Sequence, residues 1–238
     1  MQAKRIIIII SFILAYVTSA YAKNYIVCVG VRDYPGRGND LQVSDQDAVN
    51  LASLYRSNGN SEVACITNRN ATSQNIVNAM RRLYSKAGAD DTVILFFSGH
   101  GERGVFRCYD RPMPYSTITD CMKLSRSRKR FVIADACMSG SMRSNRRSNG
   151  RNNEVNVMFF LSSRTREPSR EIYGMHNSVF TTYLIKGLKG HADSNRDRCI
   201  TAKELFTYVS DNVISVTSRR QHPVMWGNFS DNMAVMRW

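Results

Sequence analysis

Apolar residues along the chain fall into five short, nearly continuous runs that are rich in β-branched and aromatic residues. These runs lie at 25–31, 63–66, 93–97, 131–134 and 157–161. Runs of this length without polar alternation are typical of strands buried on both faces of a parallel sheet. Segments with helical spacing lie at 45–55, 74–84, 118–124, 179–188 and 202–213, and a further strand-like segment lies at 233–236. This alternation predicts an α/β fold with an open, mostly parallel sheet and helices on both faces.

The first 22 residues have a different character. Lys4 and Arg5 precede an apolar run that continues to Val17, and small residues follow at Ala20 and Ala22. This order is typical of a secretion signal peptide that is removed after residue 22. The run is shorter than the roughly 20 residues that a membrane-spanning helix needs, which favours cleavage over anchoring. We therefore expect a secreted protein, periplasmic or extracellular if bacterial, with one domain over residues 23–238 and no stable membrane anchor.

The chain is strongly basic, with a formal net charge of +14. Such a charge can favour nucleic acid or other polyanions. The Lys and Arg residues are scattered or lie in loops, and no nucleic-acid-binding module is recognisable, so we expect no nucleic-acid partner. The segment 139–153 is rich in Ser, Asn, Arg and Gly, a composition typical of an exposed, mobile loop.

Six cysteines follow the predicted signal peptide, at positions 28, 65, 108, 121, 137 and 199. Export would permit disulfides. Cys28 lies in an apolar run, where a buried free thiol is the ordinary interpretation. If Cys137 stays a thiol, an odd number remains, and Cys108 with Cys121 is the one bridge that we consider.

Two predicted strand ends carry residues of a cysteine peptidase site. One continues as Ser98-Gly99-His100-Gly101, and the other as Asp135-Ala136-Cys137-Met138-Ser139-Gly140. Strand ends of a parallel sheet meet at one edge, so His100 can lie beside Cys137, assist its attack and protonate the leaving amine. The glycines at 99, 101 and 140 allow a peptide to approach, and the amides of Gly101 and Cys137 are candidate oxyanion donors. Taken singly, each residue has an ordinary structural interpretation; the matched strand-end positions favour catalysis.

Phe-Phe-Ser-Gly-His-Gly and Asp-Ala-Cys-x-Ser-Gly, in this order, resemble the histidine and cysteine blocks of caspases and metacaspases. Asp135 makes the second block more similar to the metacaspase form than to the animal caspase pattern, which has Gln there. The resemblance implies a caspase-like three-layer sandwich with a sheet of about six strands. It also implies a cysteine endopeptidase whose nucleophile is Cys137 and whose proton-handling partner is His100.

The same resemblance implies a substrate pocket. Asp47 and Asp135 match the acids that line the pocket for the side chain before the scissile bond in metacaspases, and Ser162 matches a polar contact. We therefore expect substrates with Arg, or less well Lys, at that position, and cleavage of the enzyme itself in the 139–153 loop. Asp47 has a second interpretation, because Ser44 and Asp47 also fit a capping box at a helix start.

A calcium-loop pattern is present but flawed. Oxygen-bearing residues occupy positions 1, 3, 5, 9 and 12, at Asp193, Asn195, Asp197, Thr201 and Glu204. Position 6 is an arginine instead of glycine, and Thr201 with Glu204 also fits an ordinary capping box. We assign no metal ligands and expect no cofactor, with this loop as the sole calcium candidate.

Two alternatives remain open. A clostripain-type or gingipain-type cysteine peptidase would use the same pair of residues on a related sheet. A non-catalytic caspase-like protein would bind anionic partners through its basic loops, although His100 and Cys137 then have no physical purpose.

Overall fold

The computed structural model describes residues 22–36, 38–136, 157–163, 176–227 and 229–237. In chain order, the strands are β1 (Asn24–Gly30), β2 (Ser61–Thr67), β3 (Thr92–Ser98), β4 (Gly101–Glu102), β5 (Val105–Arg107), β6 (Pro112–Pro114), β7 (Lys129–Asp135), β8 (Met158–Leu161), β9 (Cys199–Thr201), β10 (Val224–Trp226) and β11 (Ala234–Arg237). The α-helices are α1 (Ser44–Ser57), α2 (Ser73–Tyr84), α3 (Tyr115–Lys123), α4 (Val179–Lys186) and α5 (Ala202–Val216). Each apolar run predicted from the sequence is a strand, and each predicted helical segment is a helix.

A six-stranded sheet with the order β10-β8-β7-β3-β1-β2 forms the centre of the molecule. Its first five strands along the chain pair in parallel, and β10 pairs antiparallel with β8 at one edge. Strand β3 is buried along its whole length because it is central and covered on both faces. The prediction of a mostly parallel sheet with helices on both faces is therefore confirmed.

Alternate residues of the strands pack into two separate cores. Val93, Leu95 and Phe97 of β3 pack with helices α2 and α3 on one face. Ile94 and Phe96 pack with α1, α4 and α5 on the other face. We call these the α2/α3 face and the α1/α4 face. This period of two is what a strand covered by helices on both sides requires.

A small hairpin sheet extends the α2/α3 face beyond the end of β3. Strands β4, β5 and β6 pair antiparallel in that order. Phe106 of β5 stacks on Phe97 of β3 with 4.3 Å between ring centroids, and it also contacts Tyr115 at the start of α3. These aromatic contacts attach the hairpin to the core beside the residues that follow β3.

Cys108 and Cys121 are both buried free thiols in the core of the α2/α3 face, so the bridge considered between them is absent. Burial raises the pKa of both thiols and makes them poor nucleophiles. No helix in the described part of the chain is long and apolar enough to cross a membrane. The predicted signal peptide, except for its last residue, lies outside the described residues.

Candidate active site

The register between β3 and β7 places side by side the two strand ends that precede the predicted catalytic residues in the sequence. Ser98 and Asp135 are paired positions at the ends of these neighbouring strands, and the Gly99 N–H donates to the Asp135 carbonyl at 3.1 Å. His100 and Cys137 each follow their paired residue by two positions. His100 therefore leaves the sheet at the edge where β7 also ends, and Cys137, the second residue after Asp135 in the sequence, lies outside the described residues.

His100 is held by a backbone carbonyl of the loop after β1. Its Nε2 lies 2.8 Å from the carbonyl oxygen of Asn39. A carbonyl oxygen only accepts hydrogen bonds, so Nε2 is the nitrogen that carries the proton. In the neutral imidazole, Nδ1 is then the basic nitrogen, and it is the atom that can take a proton from a thiol and return it to an amine.

Tyr34 fixes both the ring and the backbone of His100. The backbone N–H of His100 donates to the Tyr34 hydroxyl at 2.8 Å, and that hydroxyl donates to the Arg107 carbonyl at 3.0 Å. The two rings lie 4.7 Å apart between centroids, at an angle of 41°. Burial raises the pKa of Tyr34, so the hydroxyl stays protonated and both hydrogen bonds persist at any ordinary pH.

The two glycines beside His100 serve different purposes. A Cβ on Gly99 would lie 2.6 Å from the Tyr34 hydroxyl oxygen. Gly99 therefore makes room for Tyr34, whereas the sequence suggested room for a substrate peptide. Arg107 N–H donates to the His100 carbonyl, which makes Gly101 and Phe106 a non-hydrogen-bonded pair of the β4–β5 ladder. The Gly101 N–H thus stays outside that ladder, as an oxyanion donor requires.

Asp47 lies in the first turn of α1 and is completely buried. Its Oδ1 accepts hydrogen bonds from Asn177 Nδ2 at 2.8 Å and from the Ser178 N–H at 3.0 Å. Its Oδ2 accepts from Ser98 Oγ at 2.9 Å. Helix α1 has Val43 at its N-cap, without a side-chain capping bond. The capping-box interpretation of Asp47 is therefore wrong, because its carboxylate points into the molecule instead of back to the helix start.

Asp135 ends β7 and meets the start of α4. Its Oδ2 accepts from the hydroxyls of Ser178 and Thr181, the latter at 3.2 Å. Ser178 is the N-cap of α4, where its Oγ also accepts from the Thr181 N–H at 3.1 Å. The backbone of Ser178 thus binds one acid and its side chain binds the other. The helix N-terminus contributes a favourable partial positive charge beside both.

The two carboxyl groups form one electrostatic unit, which we call the acid pair. Burial is the main cause that raises the pKa of Asp47, and the charge of Asp135 is the second. Among the described residues, the donors to the pair include the side chains of Ser98, Asn177, Ser178 and Thr181 and the Ser178 N–H. Burial and the repulsion between the two carboxylates therefore favour a proton on the acid pair.

Ser162 follows β8 at the same sheet edge and is completely buried. Its N–H donates to the Ala134 carbonyl at 2.9 Å, and its own carbonyl accepts from Gln221 Nε2 at 2.9 Å. The structure thus brings Asp47, Asp135 and Ser162 to the carboxyl end of the sheet, as the sequence predicts.

The candidate calcium loop uses its acidic groups internally. Glu204 forms a complete capping box with Thr201 and also accepts from Ser194. Asp193 accepts from the backbone N–H groups of Asp197 and Arg198 at 3.2 and 3.0 Å. Among the residues that the structure describes, no three His, Cys, Asp or Glu side chains are grouped as metal ligands. The capping-box interpretation of Thr201 and Glu204 is confirmed.

Tyr34, Asn39, Asn177 and Ser178 are site residues that the sequence did not reveal. Asn39 acts through a backbone carbonyl, which leaves no side-chain signal. Ser178 had a usable signal, since a serine directly before a helical pattern is a preferred N-cap.

Comparison with known proteins identifies the family. The family model of the caspase domain matches residues 23–233. The chain therefore belongs to the caspase domain family, a family of cysteine peptidases, and its caspase-like α/β fold is confirmed. No curated protein sequence matches the chain. Among solved structures, protein GSU0716 from Geobacter sulfurreducens has a TM-score of 0.64 and 14% identity, over 86% of this chain and 92% of that chain. At this identity the likeness shows a shared fold alone.

Proposed function

We propose that this caspase-domain protein is a secreted cysteine endopeptidase that cleaves peptide bonds after arginine, and less efficiently after lysine. Cys137 is the nucleophile and His100 handles the protons. The observation that supports this best is the convergence at one sheet edge of an oriented histidine, the chain leading to Cys137, and a buried pair of acids.

The proposed reaction follows from the atoms around His100. Nδ1 accepts the proton of the Cys137 thiol, and the sulfur attacks the substrate carbonyl carbon. The Gly101 and Cys137 N–H groups stabilise the negative oxygen that forms. The imidazolium then gives its proton to the leaving amine as the C–N bond breaks, and water hydrolyses the remaining thioester. The Asn39 carbonyl keeps Nε2 protonated throughout and stabilises the positive ring.

The proposed specificity follows from the charge of the acid pair. An arginine side chain before the scissile bond brings a positive charge to the two carboxyl groups, which repel each other. Its guanidinium can donate directed, charge-assisted hydrogen bonds to Asp135. The buried carboxyl group of Asp47 adds a favourable electrostatic field, and Ser162 is a further polar contact at the same sheet edge. Lysine brings one compact charge, so it is accepted less well. An acidic side chain would add a negative charge beside the acid pair and is excluded.

A peptide panel tests this proposal. Peptides that differ only in Arg, Lys, Leu or Asp before the scissile bond should be cleaved in the order Arg, Lys, then little or nothing. Cys137→Ala and His100→Ala should each lose several orders of magnitude, as other nucleophile and base units do. Asp135→Asn should reduce the Arg rate far more than the Leu rate. Efficient cleavage after Asp, or substantial activity of Cys137→Ala, would contradict the proposal.

Self-processing is a separate prediction. Segment 139–153 contains Arg143, Arg146, Arg147 and Arg151, and it directly follows the nucleophile in the chain. We expect cleavage after one or more of these arginines during incubation of the purified protein. Mass spectrometry should find the fragments in the wild type and not in Cys137→Ala. Identical intact masses of the two proteins after long incubation would refute self-processing.

A further inference from the structure

A cavity of about 400 Å³ opens beside His100, away from the acid pair. Its walls come from the loop after β1, with Tyr34 and Asn39, and from the hairpin sheet and its turn, with Tyr109 and Pro112. His100 and Gly101 also line it. The cavity therefore adjoins the two residues that handle the proton and the oxyanion in the proposed reaction.

The cavity and the acid pair lie on opposite sides of the sheet edge. Tyr34 and the hairpin residue Phe106 belong to the core of the α2/α3 face. Asp47 lies in α1 and Ser178 caps α4, and both helices cover the α1/α4 face. A peptide whose arginine side chain reaches the acid pair therefore has to cross the strand ends at His100 to reach the cavity.

The proposed reaction indicates which part of the substrate peptide lies on the cavity side of the strand ends. His100 returns its proton to the leaving amine, so the residues that follow the scissile bond lie on its side. We infer that the cavity beside His100 binds the segment that follows the scissile bond, and that it prefers a bulky neutral side chain there. This inference rests on the proposed function and adds a second determinant of specificity.

The preference for a neutral side chain follows from the charges at the cavity rim. Glu102 pairs with Arg107 at 2.6 Å. Asp110 pairs with Arg111 at 3.7 Å and also accepts from the Ser73 N–H at 2.8 Å. Each charge already has an opposite partner, so a charged substrate side chain gains little by competing. The rings of Tyr34 and Tyr109 and the proline ring of Pro112 provide apolar contact area instead.

The experiment compares substrates with and without residues after the cleaved bond. One substrate is a peptidyl-arginine aminocoumarin amide, which has no such residues. Three internally quenched peptides share one sequence and carry Leu, Gly or Asp directly after the arginine. We expect kcat/KM for Leu to exceed that for Gly about tenfold, the scale of a few apolar groups in a pocket. Asp should be no better than Gly.

A variant tests the role of the charges at the cavity rim. Glu102→Gln leaves Arg107 without its partner, and it should raise kcat/KM for the Asp peptide about threefold, the scale of an exposed ion pair. The matched control is Asp120→Asn, which makes the same charge change at the exposed pair with Lys123 on α3. It should leave all four substrates unchanged relative to one another.

The outcomes separate this inference from the proposed function. Hydrolysis of the aminocoumarin amide, with equal rates for Leu, Gly and Asp and no difference between the two variants, would overturn the inference alone. A preference for Asp in the wild type would also overturn it. No hydrolysis of any arginine substrate would overturn the proposed function and this inference with it.

Discussion

Replacing Asp47 by Asn should change how the stability of the protein depends on pH. Burial and the charge of Asp135 raise the pKa of Asp47 above the value of about 3.9 that an unfolded chain gives an aspartate. Between these two pKa values the folded protein holds one proton more than the unfolded chain. The free energy of unfolding therefore falls as pH rises through this interval and is highest at its acidic end.

The magnitude follows from one proton. A full difference of one bound proton changes the free energy of unfolding by about 1.4 kcal/mol per pH unit. Between pH 5 and pH 7, Asp47 can thus remove up to about 3 kcal/mol of stability. That is a large part of the roughly 5–15 kcal/mol that holds a typical domain folded. In Asp47→Asn, the amide oxygen still accepts from Asn177 and Ser178, and the Ser98 hydroxyl can rotate to accept from the new NH₂ group.

Denaturant unfolding at pH 5, 6, 7 and 8 measures the effect, with every variant built on Cys137→Ala to prevent self-cleavage. The stability of the parent should fall with pH, and the Asp47→Asn curve should be flatter. The control is Asp211→Asn, which removes an exposed carboxylate on α5 and should follow the parent. Parallel curves for the parent and Asp47→Asn would refute the argument that a proton resides on the acid pair.

Two other contacts give further predictions. Tyr34→Phe removes the hydroxyl that holds the backbone of His100, so kcat should fall about tenfold, the scale of one or two hydrogen bonds. KM should change little, and NMR should show altered chemical shifts of the His100 ring. Gly99→Ala places its Cβ against the same hydroxyl, so it should also lower kcat and alter the NMR spectrum of the His100 ring. A change confined to KM would contradict the role of Tyr34 in positioning His100. Ser178→Ala removes a donor to Asp135 and loosens the acid pair, so the Arg-to-Leu ratio of kcat/KM should fall, and an unchanged ratio would contradict that role.

The sequence predicted the strands and helices whose residues follow a regular pattern of burial. Central strands covered on both faces are continuous apolar runs, and their helices show one apolar side, so the elements were found within a few residues of their observed ends. The hairpin sheet was missed because β4 has two residues, β5 three, and β6 carries Pro112 and Pro114, which leaves no run to detect. The antiparallel edge strand β10 has only three residues and was missed for the same reason.

In the candidate site, too, features that depend on neighbouring residues were predictable, whereas contacts between residues far apart in the chain were not. His100 and Cys137 are predicted as site residues because each lies two positions after the end of a strand in the sequence, and this position can be read locally. The contact between Asp47 and Ser178 joins positions 131 residues apart, and no local pattern encodes it. The orienting carbonyl of Asn39 was not predictable either, because any residue type has a carbonyl at that position.

The end of strand β3 links the acid pair on the α1/α4 face to His100 and Tyr34 on the α2/α3 face. Residues alternate in direction along a strand, so the Ser98 hydroxyl points to the α1/α4 face and binds Asp47, while the next residues turn toward Tyr34 and the hairpin sheet. Only Gly99 separates the group that binds the acid pair from the histidine. A shift of the acid pair when a cation enters would therefore be transmitted through Ser98 to His100 over a very short length of chain. In the proposed reaction, an arginine substrate that binds the acid pair would thus also act on the strand end that carries His100.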